Sequence, residues 1–451
     1  METRKFETGT IINGKDLKGH TLCKVLSDDM CMRGFQYQIG MNEDVNPLGR
    51  SGSYKTGLHF AIVQDIMEHY CNGTQLAIVK LPDDEDVYVG DKQFRTHRLV
   101  IEKVMHLRDI STWEYLHKKG IDITTEENRA VVYAAKNGYL EVVKYLHKQG
   151  TDITMDNNYA VVYAAKNGHL DIVKYLYENG ADITAHKNSA LISAATEGHL
   201  EVVKYLYRNG ADITACNNSA LLEAMKKNKF EIVKYLCDNG ADTTIQNNYL
   251  FLCAAKNGVV EMVKYLYKKG ADITAKSNIA LIKATQKGHL EIVKFLYQHG
   301  VDITMDDNAA LRIASKNGFL DIVKYLYENG ADITANDNDA VIHASKNGYL
   351  EVVKYLHQNG ADITAADNDA VISASERGHL EIVKYLHQNG VDITANDNDA
   401  IVYASAHNHL EVVKYLHQNG ADITANNNYA MELALKNNSI EVIEYLKAYI
   451  K

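Results

Sequence analysis

Proline is scarce in this chain, with two in 451 residues, so it holds no proline-rich spacer or stalk. Long apolar runs are missing too. No stretch reaches the ~18 consecutive apolar residues of a membrane-spanning helix, so no membrane partner is expected. The opening residues, Met1-Glu2-Thr3-Arg4-Lys5-Phe6-Glu7, lack the apolar core of a signal peptide. Both absences point to an intracellular protein. The six cysteines, at 23, 31, 71, 216, 237 and 253, include no Cys-x-x-Cys pair, which excludes a disulfide framework and fits a reducing compartment. A basic excess is also missing. The formal net charge is -10 with both signs interleaved, so no broad phosphate-binding surface, and no nucleic-acid partner, is expected.

What the chain does have is self-similarity. From residue 121 it falls into eleven blocks of 30, starting at 121, 151, 181, 211, 241, 271, 301, 331, 361, 391 and 421, without an insertion or deletion. Block 331–360 reads ADITANDNDAVIHASKNGYLEVVKYLHQNG. A constant length gives each unit the same step in space, the signature of a solenoid.

Each block reads as two short helices. The first covers about positions 9 to 17, as in Asp339 to Asn347. Asn at position 8 of every block, Asn128 through Asn428, is expected to cap that helix. Gly or Asn at position 18 closes it in a left-handed conformation. The second helix runs from Leu350-Glu351 to before Gly360, with Leu350, Val352, Val353, Tyr355 and Leu356 at helical spacing. The acid at position 21 lies in its first turn, where the helix dipole favours negative charge. Lys354 and its equivalents face solvent. Position 14 is alanine throughout, Ala134 to Ala434, which lets first helices press together. Helices this short are marginal alone, so they must stack into one continuous core.

The string AAKNGHLDIVKYLYENGADITA at 164–185 resembles the core of the ankyrin repeat. The resemblance spans about 121–451, and ISTWEYLHKKG at 110–120 looks like half of one more, degenerate unit. It implies an all-α ankyrin-type repeat solenoid over 106–451 (cap 106–120, then the repeats), preceded by a small α+β module over 1–105. Trp113 is expected to close the first end of the stack, and Glu441, Glu444, Lys447 and Lys451 to make the last unit a polar cap. Family repeats usually have about 33 residues and open with Thr-Pro-Leu-His. Here that stretch reads Asp339-Ala340-Val341-Ile342, so tight turns with short or absent β-fingers are expected. Proline-poor, 30-residue repeats rich in Asn, Lys, Ile and Tyr look like the ankyrin proteins of giant viruses of the mimivirus group.

In the module, 75–81 and 97–104 read as strands, 61–70 as a helix and Asp83 to Asp86 as an acidic turn. Cys31-Met32-Arg33-Gly34-Phe35-Gln36-Tyr37, Gly57-Leu58-His59-Phe60 and Gln93-Phe94-Arg95 are similar to a module of unknown function in viral proteins. His20, Cys23, Cys31, His59, Glu68, His69 and Cys71 supply nucleophile and ligand types, but without the regular pairing of zinc sites. Gly49 to Thr56 lacks the G-x-x-x-x-G-K-[ST] pattern of a phosphate loop and reads as a surface loop. Histidines at positions 19 and 27 alternate with tyrosine, which a metal ligand would not do. No catalytic residue, metal or cofactor is expected.

Function is expected in the groove of first helices that ankyrin arrays present to partners. Position 13 varies in size and charge: Tyr133, Tyr163, Ser193, Glu223, Cys253, Lys283, Ile313, His343, Ser373, Tyr403. Core positions barely vary. The expected partner is a protein, a host protein if the chain is viral, bound by a monomer in the host cytoplasm. Two alternatives from other classes are an adaptor for a host ubiquitin ligase and an N-terminal enzyme targeted by the repeats. Adaptors of that kind end in an F-box-like segment, whereas this chain stops inside its last repeat.

Overall fold

Short β-branched and aromatic runs ahead of residue 107 assemble into sheet. The computed structural model describes residues 6–32, 34–44, 57–68, 73–124, 129–243 and 245–450. The strands among them are β1 (Ile11–Asn13), β2 (Leu22–Leu26), β3 (Cys31–Met32), β4 (Phe35–Gln36), β5 (Gly40–Glu43), β6 (Leu58–Ile62), β7 (Gln75–Lys80), β8 (Asp86–Val89), β9 (Phe94–Thr96) and β10 (Arg98–His106). An antiparallel sheet takes the order β1-β8-β9-β6-β2-β7-β10-β5, and β3 pairs with β4. The strands expected at 75–81 and 97–104 are β7 and β10. The α-helix expected over 61–70 is not formed over 61–68, and 69–70 lie outside the described residues. Ala61 and Ile62 belong to β6, whose five residues are all buried between β2 and β9, and Val63–Glu68 is a 3-10 helix. Sheet pairing overrides a weak local helical pattern.

The module has its own core, in which Leu26, Leu58, Phe60, Val87, Phe94, Leu99 and Ile101 are buried, and Phe60 stacks on Phe94 at 5.4 Å. The acidic turn holds an unexpected feature. Glu85 is buried and accepts from the Thr96 hydroxyl (2.6 Å), the His97 and Arg98 amides (3.0 and 2.9 Å) and Arg98 Nε (2.8 Å). Burial would raise this carboxyl, but the Thr96 hydroxyl and the Arg98 amide and guanidinium outweigh it and hold it below its ordinary value. Glu85 therefore ties the β9–β10 corner together.

The chain divides into two compact units, Met1–Ala241 and Asp242–Lys451. In the first, β10 runs into α1 (Ile110–Lys118), followed by α2 (Arg129–Lys136) and α3 (Leu140–Lys148). Trp113 is fully buried and its indole N–H donates to the Leu107 carbonyl at 2.7 Å. In both units each later repeat is a helix pair such as Ala335–Lys346 and Leu350–Gln358. The alanines at position 14 and the leucines at position 26, from Ala134 and Leu146 onward, are fully buried. Among the described residues the repeats contain no strand. The turn that replaces the family's finger is left-handed: Asn336, Asp337 and Asn338 have φ of 56°, 53° and 64°, and the same triplet recurs at 306–308, 366–368, 396–398 and 426–428. Asn and Asp tolerate this conformation better than other residues with a β-carbon, which accounts for the asparagine-rich composition here.

The last repeat is less polar than expected. Glu441, Glu444 and Lys447 are exposed, but so are Leu435 (52%), Ile440 (64%) and Tyr449 (57%).

Candidate functional site

The left-handed turn changes the job of the position-8 asparagine. It does not cap its own helix, since a cap residue needs extended backbone and Asn338 has φ 64°. Its carboxamide instead accepts the amide of position 2 in the next repeat, as for Asn158 with Asp182, Asn308 with Asp332, and Asn338 with Asp362, at 2.8, 2.9 and 2.8 Å. Asn278 differs, donating through Nδ2 to the Asp302 carbonyl at 2.7 Å. The position-2 aspartate then folds onto its own turn. Asp362 Oδ1 accepts the Thr364 amide and hydroxyl at 2.8 and 2.7 Å, and the Asp-x-Thr pattern repeats along the chain. Asn128 lies outside the described residues.

Position 18 closes each first helix as expected: Gly348 has φ 84° and Asn408 has φ 61°. The glycine also makes room. A β-carbon on Gly348 would stand 2.7 Å from the His379 ring, whose Nε2 lies 3.1 Å from the Lys346 carbonyl. Where position 18 is Asn408, position 19 of the next repeat is the small Ser439. The position-27 histidines serve packing: His357 Nδ1 meets the Tyr385 hydroxyl at 2.8 Å, and where tyrosine replaces histidine, Tyr327 packs edge-on against Tyr355 at 6.2 Å.

The second helices carry exposed ion pairs. Lys354 Nζ lies 2.8 Å from Glu351 Oε1. Where position 21 is the shorter aspartate, the pattern changes: Asp321 accepts the Ile322 amide at 2.9 Å, and Lys324 sits over the Tyr355 ring at 5.6 Å.

The position-13 residues do not behave alike. In the first unit Tyr133 is buried and donates its hydroxyl to the Gly73 carbonyl at 2.7 Å, so it fastens the array to the sheet module. Its ring pairs with Tyr139 at 6.1 Å, and the Tyr133–Tyr163 pair that the repeat spacing suggests is replaced by a Tyr159–Tyr163 contact at 6.0 Å. Tyr163, Ser193 and Glu223 are half-buried, with Glu223 bridged to Lys226 at 2.6 Å. In the second unit Cys253, Lys283, Ile313 and His343 are half-buried, Ser373 is buried and Tyr403 is exposed. Identity at position 13 thus does not by itself predict exposure, because neighbouring positions decide how far each side chain is covered.

Positions 9 and 12, which the sequence reading left aside, carry the most structured contacts. Tyr159 stacks on His186 of the next repeat at 5.4 Å. Arg312 reaches into its neighbour: Nη1 donates to Asp339 Oδ2 at 2.9 Å, Nη2 to the Asp306 carbonyl at 3.1 Å and Nε to the Asp307 carbonyl at 3.2 Å. The signal for this in the sequence was a single arginine at a position that is aliphatic in every other repeat but the last, where it is Glu432, with an aspartate 27 residues on.

In the module, His59 borders a cavity of about 40 Å³ with Lys24, Met32, Phe35, Tyr37, Asp44 and Gly57, enough for about one water molecule. Cys23 is buried, and burial first, then Asp65, pushes its thiol well above the usual range. A thiol so held is a poor nucleophile. No group of three or more His, Cys, Asp or Glu able to hold a metal occurs among the described residues. Gly49 to Thr56, His69, Cys71 and the Glu68 side chain lie outside them. No helix among the described residues is long and apolar enough to cross a membrane.

Comparison with known proteins agrees with this architecture. The family profile "Ankyrin repeats (3 copies)" matches overlapping segments from 103–187 to 371–451. Similar proteins come from Acanthamoeba polyphaga mimivirus: R868, described as an ankyrin repeat protein, is 33% identical over 130 residues, covering 27% of this chain and 63% of its own length. The uncharacterized protein R869 is 32% identical over 127 residues, covering 27% of this chain and 92% of its own, and the ankyrin repeat protein R229 is 32% identical over 133 residues, 27% and 43%. The chain thus spans less than two thirds of R868 and under half of R229. With the repeat profile running from 103 to 451 over stacked helix pairs, the chain belongs to the ankyrin-repeat family.

Proposed function

We propose that this protein is a binding scaffold that grips a partner protein across the first helices of its repeats. The observation that carries the reading is the split between positions. Those buried between helices, 14 and 26, are Ala and Leu in every repeat, whereas the first-helix surface changes from Tyr163 to Glu223 to Lys283 to Tyr403. Ankyrin repeats generally mediate protein–protein contact, and exposed aromatics such as Tyr159 and Tyr403, each 40% exposed, are the side chains that concentrate binding energy at interfaces. The similarity to mimivirus proteins supports a viral protein that acts on a host protein in the host cytoplasm.

Affinity capture from amoebal lysate, read by mass spectrometry, tests the reading. Tyr159→Ala with Tyr163→Ala, and separately Tyr403→Ala, should lower recovery of a specific partner at least tenfold. Lys144→Ala with Lys174→Ala, on the second helices, should leave it unchanged. Loss with the lysine variant and retention with the tyrosine variants would move recognition to the other face.

A further inference from the structure

Arg312 shows how this array seats a guanidinium. Its three donating nitrogens are taken up by the carbonyls of Asp306 and Asp307 and by the Asp339 carboxylate of the next repeat. The two carbonyls belong to the left-handed turn, where Asp306 and Asp307 both have φ 53°. The seat therefore needs that turn in one repeat and an acid at position 9 of the next.

Position 9 is acidic in three repeats, at Asp339, Asp369 and Asp399. Asp339 holds Arg312. For Asp369 and Asp399 the preceding turns have the same shape: Asn336 and Asp337 at φ 56° and 53°, Ala366 and Asp367 at φ 50° and 54°. Position 12, however, is Ile342 and Ile372, and neither can supply a cation. No ion pair involves either acid among the described residues: Asp369 accepts the Ser373 hydroxyl at 3.1 Å. In the second seat the Asn396 side-chain amide donates to the Asp367 carbonyl at 3.2 Å, so a guanidinium entering that seat displaces it. Asp399 is raised above the ordinary carboxylate value, first by burial and then by Asp397, as expected where negative groups crowd without a counter-ion.

We propose that the seats at Asn336–Asp337–Asp369 and Ala366–Asp367–Asp399 bind two guanidinium groups of an arginine-containing segment of a protein partner. This rests on the reading of the first-helix face as the recognition surface. The planar fork is what the seat measures, since Arg312 uses three nitrogens at once and a lysine ammonium cannot present that geometry. Spacing follows from packing. Adjacent helices lie roughly 8–10 Å apart, and a polyproline-II segment advances about 3.1 Å per residue with about three residues per turn, so two arginines three residues apart share one face at that spacing.

The test uses the full chain and a fluorescein-labelled peptide, Gly-Ser-Arg-Gly-Ser-Arg-Gly-Ser, read by fluorescence anisotropy. The peptide should bind saturably, and its lysine counterpart at least tenfold more weakly. Asp369→Asn with Asp399→Asn should weaken binding at least tenfold. Ile342→Arg with Ile372→Arg should do the same by filling the seats from within, as Arg312 fills the first. Circular dichroism establishes that each variant is folded. Absence of binding to the wild type, equal binding of the lysine peptide, or binding unchanged in both double variants overturns the proposal. Capture of the cellular partner separates the two readings. Loss with the tyrosine variants but not with Asp369→Asn and Asp399→Asn overturns the arginine seats alone, whereas retention in all of them overturns the recognition face as well.

Discussion

Asn338 Oδ1 accepts the backbone N–H of Asp362 at 2.8 Å, so a side chain in one repeat hydrogen-bonds the main chain of the next. In the last repeat, the equivalent Asn428 oxygen is buried without a partner. Asn338→Ala loses the bond and places an alanine in the left-handed region, at a cost of about 1–3 kcal/mol. Asn428→Ala loses no bond and should cost less. Hydrogen exchange at the Asp362 amide checks this. Equal destabilisation by the two changes would refute the inter-repeat role.

Ser315, Ser345, Ser375 and Ser405 are fully buried at position 15 with no hydrogen-bond partner for their hydroxyls. The first unit places Ala135, Ala165 and Ala195 there. A buried unpaired hydroxyl is unfavourable and alanine is the better helix former. Ser345→Ala should therefore stabilise the protein by about 1 kcal/mol, read as a higher urea midpoint. A lower midpoint would show that the hydroxyl has a partner in solution.

Leu356 is fully buried, and Leu356→Ala should cost about 2–5 kcal/mol. Repeats touch only their neighbours, so protection from hydrogen exchange should fall mainly in 301–390. Uniform loss of protection along the second unit would contradict nearest-neighbour stability.

The position-2 aspartates supply an acid-labile term. Asp212, Asp302, Asp362 and Asp392 are held below their ordinary value, first by the hydroxyl of the threonine two residues on and then by its amide. A depressed folded value contributes stability above the unfolded value of about 3.9 and loses it as pH falls through the folded one. Thermal midpoints should drop between about pH 5 and pH 2, and Thr→Val at 214, 304, 364 and 394 should flatten that drop. An unchanged pH profile in this variant would remove the turns as its cause.

Residues 1–105 cover part of the array. A fragment of 106–451 exposes Tyr133, whose hydroxyl otherwise reaches Gly73. It should remain helical by circular dichroism yet lose protection first in α2 and α3. Protection equal to the full chain would make the Tyr133 contact dispensable.

The sequence by itself determined the repeat, its helices and its core, because alanine at 14, leucine at 26 and glycine at 18 each answer a local demand of helix packing or closure. The 30-residue repeat length also announced the missing finger. Other features belong to contacts between segments distant in the chain, where local pattern is silent. Position 8 read as a helix cap because asparagine suits both roles, and only a left-handed turn beside the next repeat's amide decides between them. Tyr133 matched Tyr163 by register but is buried, since its place is set by the sheet module 60 residues away. The segment from Ala61 read as helix, yet Ala61 and Ile62 end β6, where β2 claims their backbone pairing, and Val63–Glu68 forms a 3-10 helix. Arg312 acquired its meaning only when the fold brought a turn and an aspartate from successive repeats around one guanidinium.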